Sequence, residues 1–240
     1  LHGALELVPR NENIFFKGGL SGIRPHKAEA VAVQIEPAGD EVLAPAPAGR
    51  RPGNAPALTV DLGQLAARGK AGKLLEQQGF KLRGAHEVAP EILVPEGALG
   101  SRQTSERDRA DIDLGLDYLR ATGSFDVGQA VVVAGRHVLA VEAAEGTDQM
   151  LARIVEMRAN GRVRAAAGSG VLVKAPKHGQ DKRFDLPSIG PRTVEGVVRA
   201  GLAGIAVTAG STIVAEPERL IAAADRANIF VIGTPAGTER

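Results

Sequence analysis

The segment VLVKAPKHGQDKRFDLPSIGP, residues 171–191, carries a concentration of charged and amide side chains directly after a short apolar run. Lys174 and Lys177 bring two ammonium groups close together, and Gln180 adds neutral hydrogen-bond donors. Arg183 could hold an oxyanion through two parallel hydrogen bonds. These residue types at this spacing are typical of a loop that binds phosphate groups.

Asp185 lies in the same segment, two residues before Pro187. A carboxylate among cations stays ionised and could bind a divalent metal ion or orient a water molecule. The alternative is a solvated lysine-rich loop in which Asp185 only closes a turn before the proline. The residues alone leave both interpretations open.

A second polar segment, EGTDQMLARI, begins at Glu145. Gly146 would let the main chain approach a ligand, and Thr147 could cap the following helix, whose free amides could hold an anion. Asp148 and Glu145 could bind a cation beside that anion. The alternative is ordinary helix capping without a ligand.

The elements that must position these residues alternate between strands and helices. The sequence predicts helices at 110–122, 147–157, 191–200 and 217–227 and a hairpin turning at 134–136. It predicts strands at 30–35, 170–175, 203–208, 212–215 and 229–232, and a strand followed by a loop within 80–88. This order predicts an α/β fold whose sheet is covered on both faces. Ligands bind such sheets at the carboxyl ends of the strands, so both polar segments are expected at one crevice.

The composition restricts the function classes. The chain has 240 residues, with 29 basic against 28 acidic side chains, which disfavours a general nucleic-acid or membrane-coating surface. Cysteine is absent, so thiolate chemistry is excluded and a cytoplasmic location is the default. No apolar run is long enough to span a bilayer, and no secretory pattern is expected at the N-terminus.

Five segments together resemble one known family. They read GFKLRGAHEV, FDVGQAVVV, VLAVEAAEGTDQMLARI, GVLVKAPKHGQDKRFDLPSIGPRTVEGVVRAGLAGIAV and IAAADRANIFVIG, between Gly79 and Gly233. In this order they resemble the UDP-2,3-diacylglucosamine pyrophosphatases of lipid A synthesis, of the LpxI type.

The resemblance implies two α/β domains, residues 1–98 and 99–240, with the ligand site between them and a mixed sheet with helices on both faces in the second. It implies Mg²⁺-dependent hydrolysis of a UDP-linked diacylglucosamine lipid to UMP and 2,3-diacylglucosamine 1-phosphate (lipid X). Because a lipid site would leave part of an aliphatic lining exposed when it is empty, peripheral contact with the inner membrane or a homodimer that covers the lining is expected. The balanced charge predicts no nucleic-acid partner.

The same resemblance assigns roles to residues. Asp185, in the motif RFDLP, would be the catalytic residue that binds Mg²⁺ or positions the attacking water, and Asp148 would be a second metal ligand. Lys174, Lys177 and Gln180 would hold the diphosphate. The other predicted substrate-binding residues rest on their residue types alone: Glu145, Gly146, Thr147 and Asp148.

Upstream of Gly79 the chain departs from the family pattern, so the first domain is expected to be divergent or incomplete. The glycine-rich GGG-type turn is absent, and RGKAGKLLEQQGF stands where the family has an acidic GDD before a helix. A second hypothesis is therefore a non-catalytic module that binds phosphate or a nucleotide-lipid through the C-terminal fold. A third is a different kind of nucleotide-sugar enzyme.

Overall fold

The computed structural model describes residues 80–125, 127–177, 182–183 and 186–236, together with three strands nearer the N-terminus. The chain divides into two units, Leu1–Ala89 and Pro90–Arg240, which are described separately. The predicted boundary after residue 98 and the predicted ligand site between two domains both stay predictions.

The described residues of the first unit form short antiparallel strand pairs and one helical turn. Strand β1 pairs with β2, and β3 pairs with β4. The elements are β1 (Glu6–Arg10), β2 (Asn13–Lys17), β3 (Gln34–Pro37), β4 (Phe80–Arg83) and α1 (Ala85–Val88). The strand predicted at the start of 80–88 is confirmed and occupies Phe80–Arg83, whereas the expected loop after it forms α1. The Glu87 carboxylate accepts a hydrogen bond from the Gly84 amide and so stabilises the start of that turn.

The second unit is built on a six-stranded mixed sheet in the order β5-β12-β10-β8-β6-β7. Strands β8, β10 and β12 are parallel, while β5, β6 and β7 each run antiparallel to a neighbour. The strands are β5 (Gly97–Ala98), β6 (Ala130–Ala134), β7 (His137–Val141), β8 (Val171–Lys174), β10 (Gly204–Thr208) and β12 (Phe230–Thr234). A separate parallel pair joins β9 (Ser188–Ile189) to β11 (Ile213–Val214).

Helices cover both faces of this sheet, because the central strands are apolar on both sides. Alternate residues of β6 and β8 point to opposite faces. On one face, Val131 and Val173 pack in a cluster with Ile112 of α2. On the other, Val132 and Leu172 pack with residues of the remaining three helices. The helices are α2 (Glu106–Thr122), α3 (Gly146–Ala159), α4 (Pro191–Arg199) and α5 (Pro217–Ala227). The predicted α/β fold, with a mixed sheet and helices on both faces, is confirmed.

Helix α2 begins four residues earlier than the apolar pattern predicts. Ser105 is its N-cap: the Ser105 hydroxyl accepts from the Asp108 amide, and the Asp108 carboxylate accepts from the Ser105 amide. This reciprocal capping satisfies amides that would otherwise lack partners at the helix start. Asp111, predicted near the beginning of the helix, is therefore well inside it and buried.

None of the helices in the described part of the chain is long and apolar enough to cross a membrane.

Candidate active site

The two polar segments meet at the end of the sheet where β8 finishes. Lys174, the last residue of β8, pairs with Ala130 at the start of β6 and with Val207 of β10. The amide of Glu142, which follows β7, donates to the carbonyl of Ala130 and extends the same row. Paired residues point to one face of a sheet, and Ala130 and Val207 lie in the core beneath α3, α4 and α5. Lys174 and Glu142 therefore both point toward these helices.

Lys174 is buried, with a relative exposure of 7%. Its ammonium nitrogen donates a hydrogen bond to the main-chain oxygen of Ser188, 2.9 Å away. Ser188 belongs to β9, two residues before the N-cap of α4 at Gly190. The side chain thus connects the two ends of the polar segment 171–191.

The first turn of α3 differs from the prediction at Thr147. The helix starts at Gly146, whose φ of 79° is a left-handed conformation suited to glycine, and the N-cap position is held by Glu145. The predicted capping role of Thr147 is wrong, because its hydroxyl donates instead to the Glu142 carboxylate at 2.8 Å. A threonine inside the first turn cannot accept from the amides that follow an N-cap.

The two acidic residues at the start of α3 have defined partners. The Glu145 carboxylate accepts from the Arg153 guanidinium at 2.9 Å and from the Ala143 amide at 3.1 Å. The Asp148 carboxylate pairs with the Arg192 guanidinium at 3.3 Å, and both side chains are more than half exposed. The Asp148 contact brings the first turns of α3 and α4 together.

The described part of the polar loop adds more cations to this end of the sheet. Lys177 is half-buried, and the ammonium of Lys182 donates to the buried hydroxyl of Ser211 at 3.2 Å. Gln180 and the predicted catalytic residue Asp185 lie outside the described residues. Their roles stay predictions.

Across the described residues, no group of three or more His, Cys, Asp and Glu side chains could hold a metal ion. However, Mg²⁺ is commonly bound by one or two carboxylates together with waters and substrate phosphates. The exposed carboxylate of Asp148 fits that chemistry, and Asp185 would be the second ligand.

Sequence reasoning did not single out Glu142, which is only 9% exposed. One carboxylate oxygen accepts from the Gln129 amide at 2.9 Å and the other from the Thr147 hydroxyl. Strand periodicity contained a signal for it. Glu142 is two residues after the buried Ala140, so alternation predicts an acidic side chain pointing inward.

Comparison with known proteins identifies the family. Residues 95–232 match the model of the LpxI C-terminal domain. A protein from Caulobacter vibrioides, named UDP-2,3-diacylglucosamine pyrophosphatase LpxI, is 48% identical over 158 residues, which cover 66% of this chain and 56% of that protein. The match thus spans little more than half of the relative's length. The family match covers more than half of the present chain, including both polar segments, and the chain belongs to the LpxI C-terminal domain family.

Proposed function

We propose that the protein hydrolyses the pyrophosphate bond of UDP-2,3-diacylglucosamine in lipid A synthesis. The products are UMP and 2,3-diacylglucosamine 1-phosphate. The observation that carries this proposal is the 48% identity to a protein named as a pyrophosphatase for this compound. It is supported by the position of both polar segments within the matched region, residues 95–232.

The residues at the strand ends have the chemistry that this reaction needs. Water attacks one phosphorus atom, the bridging oxygen leaves with the other phosphoryl group, and negative charge is redistributed over the phosphate oxygens. Cations positioned near those oxygens stabilise the transition state. Lys174 and Lys177, with Gln180, are proposed to hold the diphosphate, and Asp185 to orient the attacking water.

Mg²⁺ is proposed to neutralise part of the diphosphate charge when it is bound. Asp148 and Asp185 are its proposed ligands. The ion pair between Asp148 and Arg192 is largely exposed, and such pairs contribute only about 0–1 kcal/mol. Asp148 can therefore exchange Arg192 for a metal ion at little cost in stability.

The direct test is hydrolysis of UDP-2,3-diacylglucosamine by the whole chain with Mg²⁺, with both products measured by chromatography. We expect UMP and lipid X in equal amounts. Asp185→Asn should lower kcat by about 100-fold or more. Asp181→Asn, which removes the same charge from the same loop, is the matched control and should keep kcat within about threefold of the parent.

Two other outcomes would favour the competing functions. Thermal stabilisation by UMP or lipid X without turnover would identify a non-catalytic binding module. Equal turnover of UDP-sugars without acyl chains would identify another kind of nucleotide-sugar enzyme.

Three further features belong to the proposal: a cytoplasmic location, peripheral contact with the inner membrane and a homodimer. A substrate with two acyl chains brings the protein to a lipid surface, and a second copy could cover exposed apolar residues. Sedimentation with phospholipid vesicles and analytical ultracentrifugation test these two interactions. Recovery only in the supernatant, and only as a monomer, would contradict them.

A further inference from the structure

Glu142 connects two parts of the candidate active site that are distant in the chain. Its buried carboxylate accepts one hydrogen bond from the Gln129 amide at 2.9 Å and another from the Thr147 hydroxyl at 2.8 Å. Its main chain is also bonded on both sides, from the Gly128 amide and to the Ala130 carbonyl. The carboxylate is therefore held in one orientation beside the first turn of α3.

This contact decides what Thr147 can offer to a ligand. A threonine hydroxyl has one proton and two lone pairs, whereas a carboxylate only accepts hydrogen bonds. Because Thr147 gives its proton to Glu142, only the lone pairs of its oxygen remain. Thr147 is half-buried, so part of the residue stays accessible to a ligand.

The surrounding charges act in the same direction. The carboxylates of Glu142, Glu145 and Asp148 all lie at the start of α3. Glu145 and Asp148 are each paired with an arginine, Arg153 and Arg192. The two described partners of Glu142 are neutral, so its charge opposes a phosphate there, although a helix start attracts anions. The lysines described above belong to the other polar segment, at the end of β8 and after it.

From these contacts we propose that Glu142 is a positioning residue that makes Thr147 a hydrogen-bond acceptor for a hydroxyl or N–H group of the substrate. The Thr147 oxygen does not bind a phosphate oxygen, which would need a donor. The identity of the substrate rests on the proposed function. Through Glu142, the Thr147 oxygen would accept a hydrogen bond from a donor group of the substrate and would not bind an acceptor group.

The substitution Glu142→Gln reverses this polarity while keeping both hydrogen bonds. The main-chain N–H of Gln129 can only donate a hydrogen bond, so the side-chain oxygen of the new glutamine must face it. The NH₂ group of that glutamine must then face Thr147. Thr147 then accepts from that NH₂ group and turns its own proton toward the ligand. The sign of the change in substrate binding therefore reports which kind of group Thr147 contacts.

The experiment compares the parent, Glu142→Gln, Thr147→Val and the double variant in hydrolysis of UDP-2,3-diacylglucosamine. We expect Glu142→Gln to raise KM about five- to tenfold, the effect of one lost hydrogen bond, with kcat little changed. The double variant should have the KM of Thr147→Val alone, because Glu142 acts through Thr147. An unchanged or lower KM for Glu142→Gln, or effects that multiply in the double variant, would overturn the proposal.

Stability separates positioning from a purely structural role. Glu142→Gln should melt within about 2 °C of the parent since both bonds persist, while Glu142→Leu, which strands the Gln129 amide, should lower the Tm by about 4 °C or more. A raised KM in a variant of normal stability is not explained by damage to the fold. A Glu142→Gln variant as unstable as Glu142→Leu would refute the polarity argument.

The design also separates this proposal from the proposed function. If the parent releases no UMP, the proposed function fails, and the same four proteins are titrated with UMP and with lipid X by calorimetry. The positioning role is supported if Glu142→Gln binds either ligand more weakly than the parent does. The double variant must then bind that ligand as Thr147→Val does, with no further loss from the change at Glu142. Equal or tighter binding of both ligands overturns it.

Discussion

The ammonium group of Lys174 and the main-chain oxygen of Ser188 are joined by a hydrogen bond of 2.9 Å. The two residues are 14 positions apart in the chain and enclose the polar loop. Ser188 lies just before Gly190, the N-cap of α4, so the contact helps to fix where that helix begins. A buried lysine of this kind can shape the candidate active site as well as supply charge to it.

Replacement of Lys174 should therefore reduce stability as well as activity. Lys174→Met leaves the Ser188 oxygen without this donor, and we expect the free energy of unfolding to fall by about 1–3 kcal/mol. Urea denaturation measures the change. Arg107→Met is the control: Arg107 is exposed on α2, and surface substitutions usually change stability by about 0.5 kcal/mol or less. Equal losses in the two variants would show that the buried contact has no special weight.

Asp111 is expected to stabilise the hairpin of β6 and β7. Its buried carboxylate, 4% exposed, accepts from the amides of Gly135 and Arg136 in the turn, at 3.0 and 2.6 Å. Asp111→Asn replaces one acceptor by an NH₂ group that faces a donor, so the free energy of unfolding should fall by about 1–3 kcal/mol. Thermal and urea denaturation check this value.

The control for this test lies on the same helix. Asp113→Asn changes an exposed carboxylate and should alter stability by about 0.5 kcal/mol or less. If the two aspartates prove interchangeable, the hydrogen bonds across the hairpin turn do not contribute to stability.

The buried elements of the sheet could be predicted from sequence because local and tertiary preferences agree in them. Strand β8 was expected at 170–175 and occupies Val171–Lys174, since its continuous apolar run suits a strand covered on both faces. Helix α5 has the predicted bounds, Pro217–Ala227, because proline marks its first turn and Asn228 follows in a left-handed conformation.

Polar contacts between the side chains of successive elements could not be predicted in the same way. Thr147 was expected to cap α3 because threonine is common at N-caps, but its hydroxyl bonds to Glu142 at the end of β7. The two residues are only five positions apart, but the contact depends on the geometry of the turn between β7 and α3. The early start of α2 was missed for another reason: its first turn is polar, and periodicity detects apolar faces.

Arg158 should be far more sensitive to a conservative change than other arginines. Its guanidinium donates to the carbonyls of Ala200 and Ala165, both at 2.7 Å, and to that of Gly201 at 3.2 Å. Burial lowers the pKa of Arg158 from its ordinary value, but an arginine remains charged in a folded protein. The side chain thereby links the end of α4 to the loop after α3.

Arg158→Lys cannot reproduce this fork of donors. We expect a loss of about 2–3 kcal/mol in the free energy of unfolding, because partly buried carbonyls lose bonds to a charged group. Arg164→Lys, at an exposed position of the same loop, is the control and should lie within about 0.5 kcal/mol of the parent. Urea denaturation of both variants shows whether stability depends on the hydrogen-bond geometry of the Arg158 guanidinium or only on a positive charge.

The contact between Asp225 and Ser101 should make stability depend on pH in acid. The Ser101 amide donates to the Asp225 carboxylate at 2.7 Å and the Ser101 hydroxyl at 2.9 Å. The hydrogen bond from the Ser101 amide, and after it the one from the Ser101 hydroxyl, hold the pKa of Asp225 below its usual range. The group binds a proton less readily in the folded chain than in the unfolded chain, so its stabilising effect is complete above the unfolded pKa, about 3.9.

We therefore expect Asp225→Asn to melt below the parent by a constant difference between pH 7 and pH 5. That difference should shrink as the pH falls through the lowered pKa of the folded protein, because the carboxyl of the parent then becomes neutral like the amide. Differential scanning calorimetry of both proteins at several pH values measures it, with the most acidic samples as the internal reference. A difference that is equally large after the carboxyl is protonated would mean that the shape of the side chain, rather than its charge, holds Ser101 against α5.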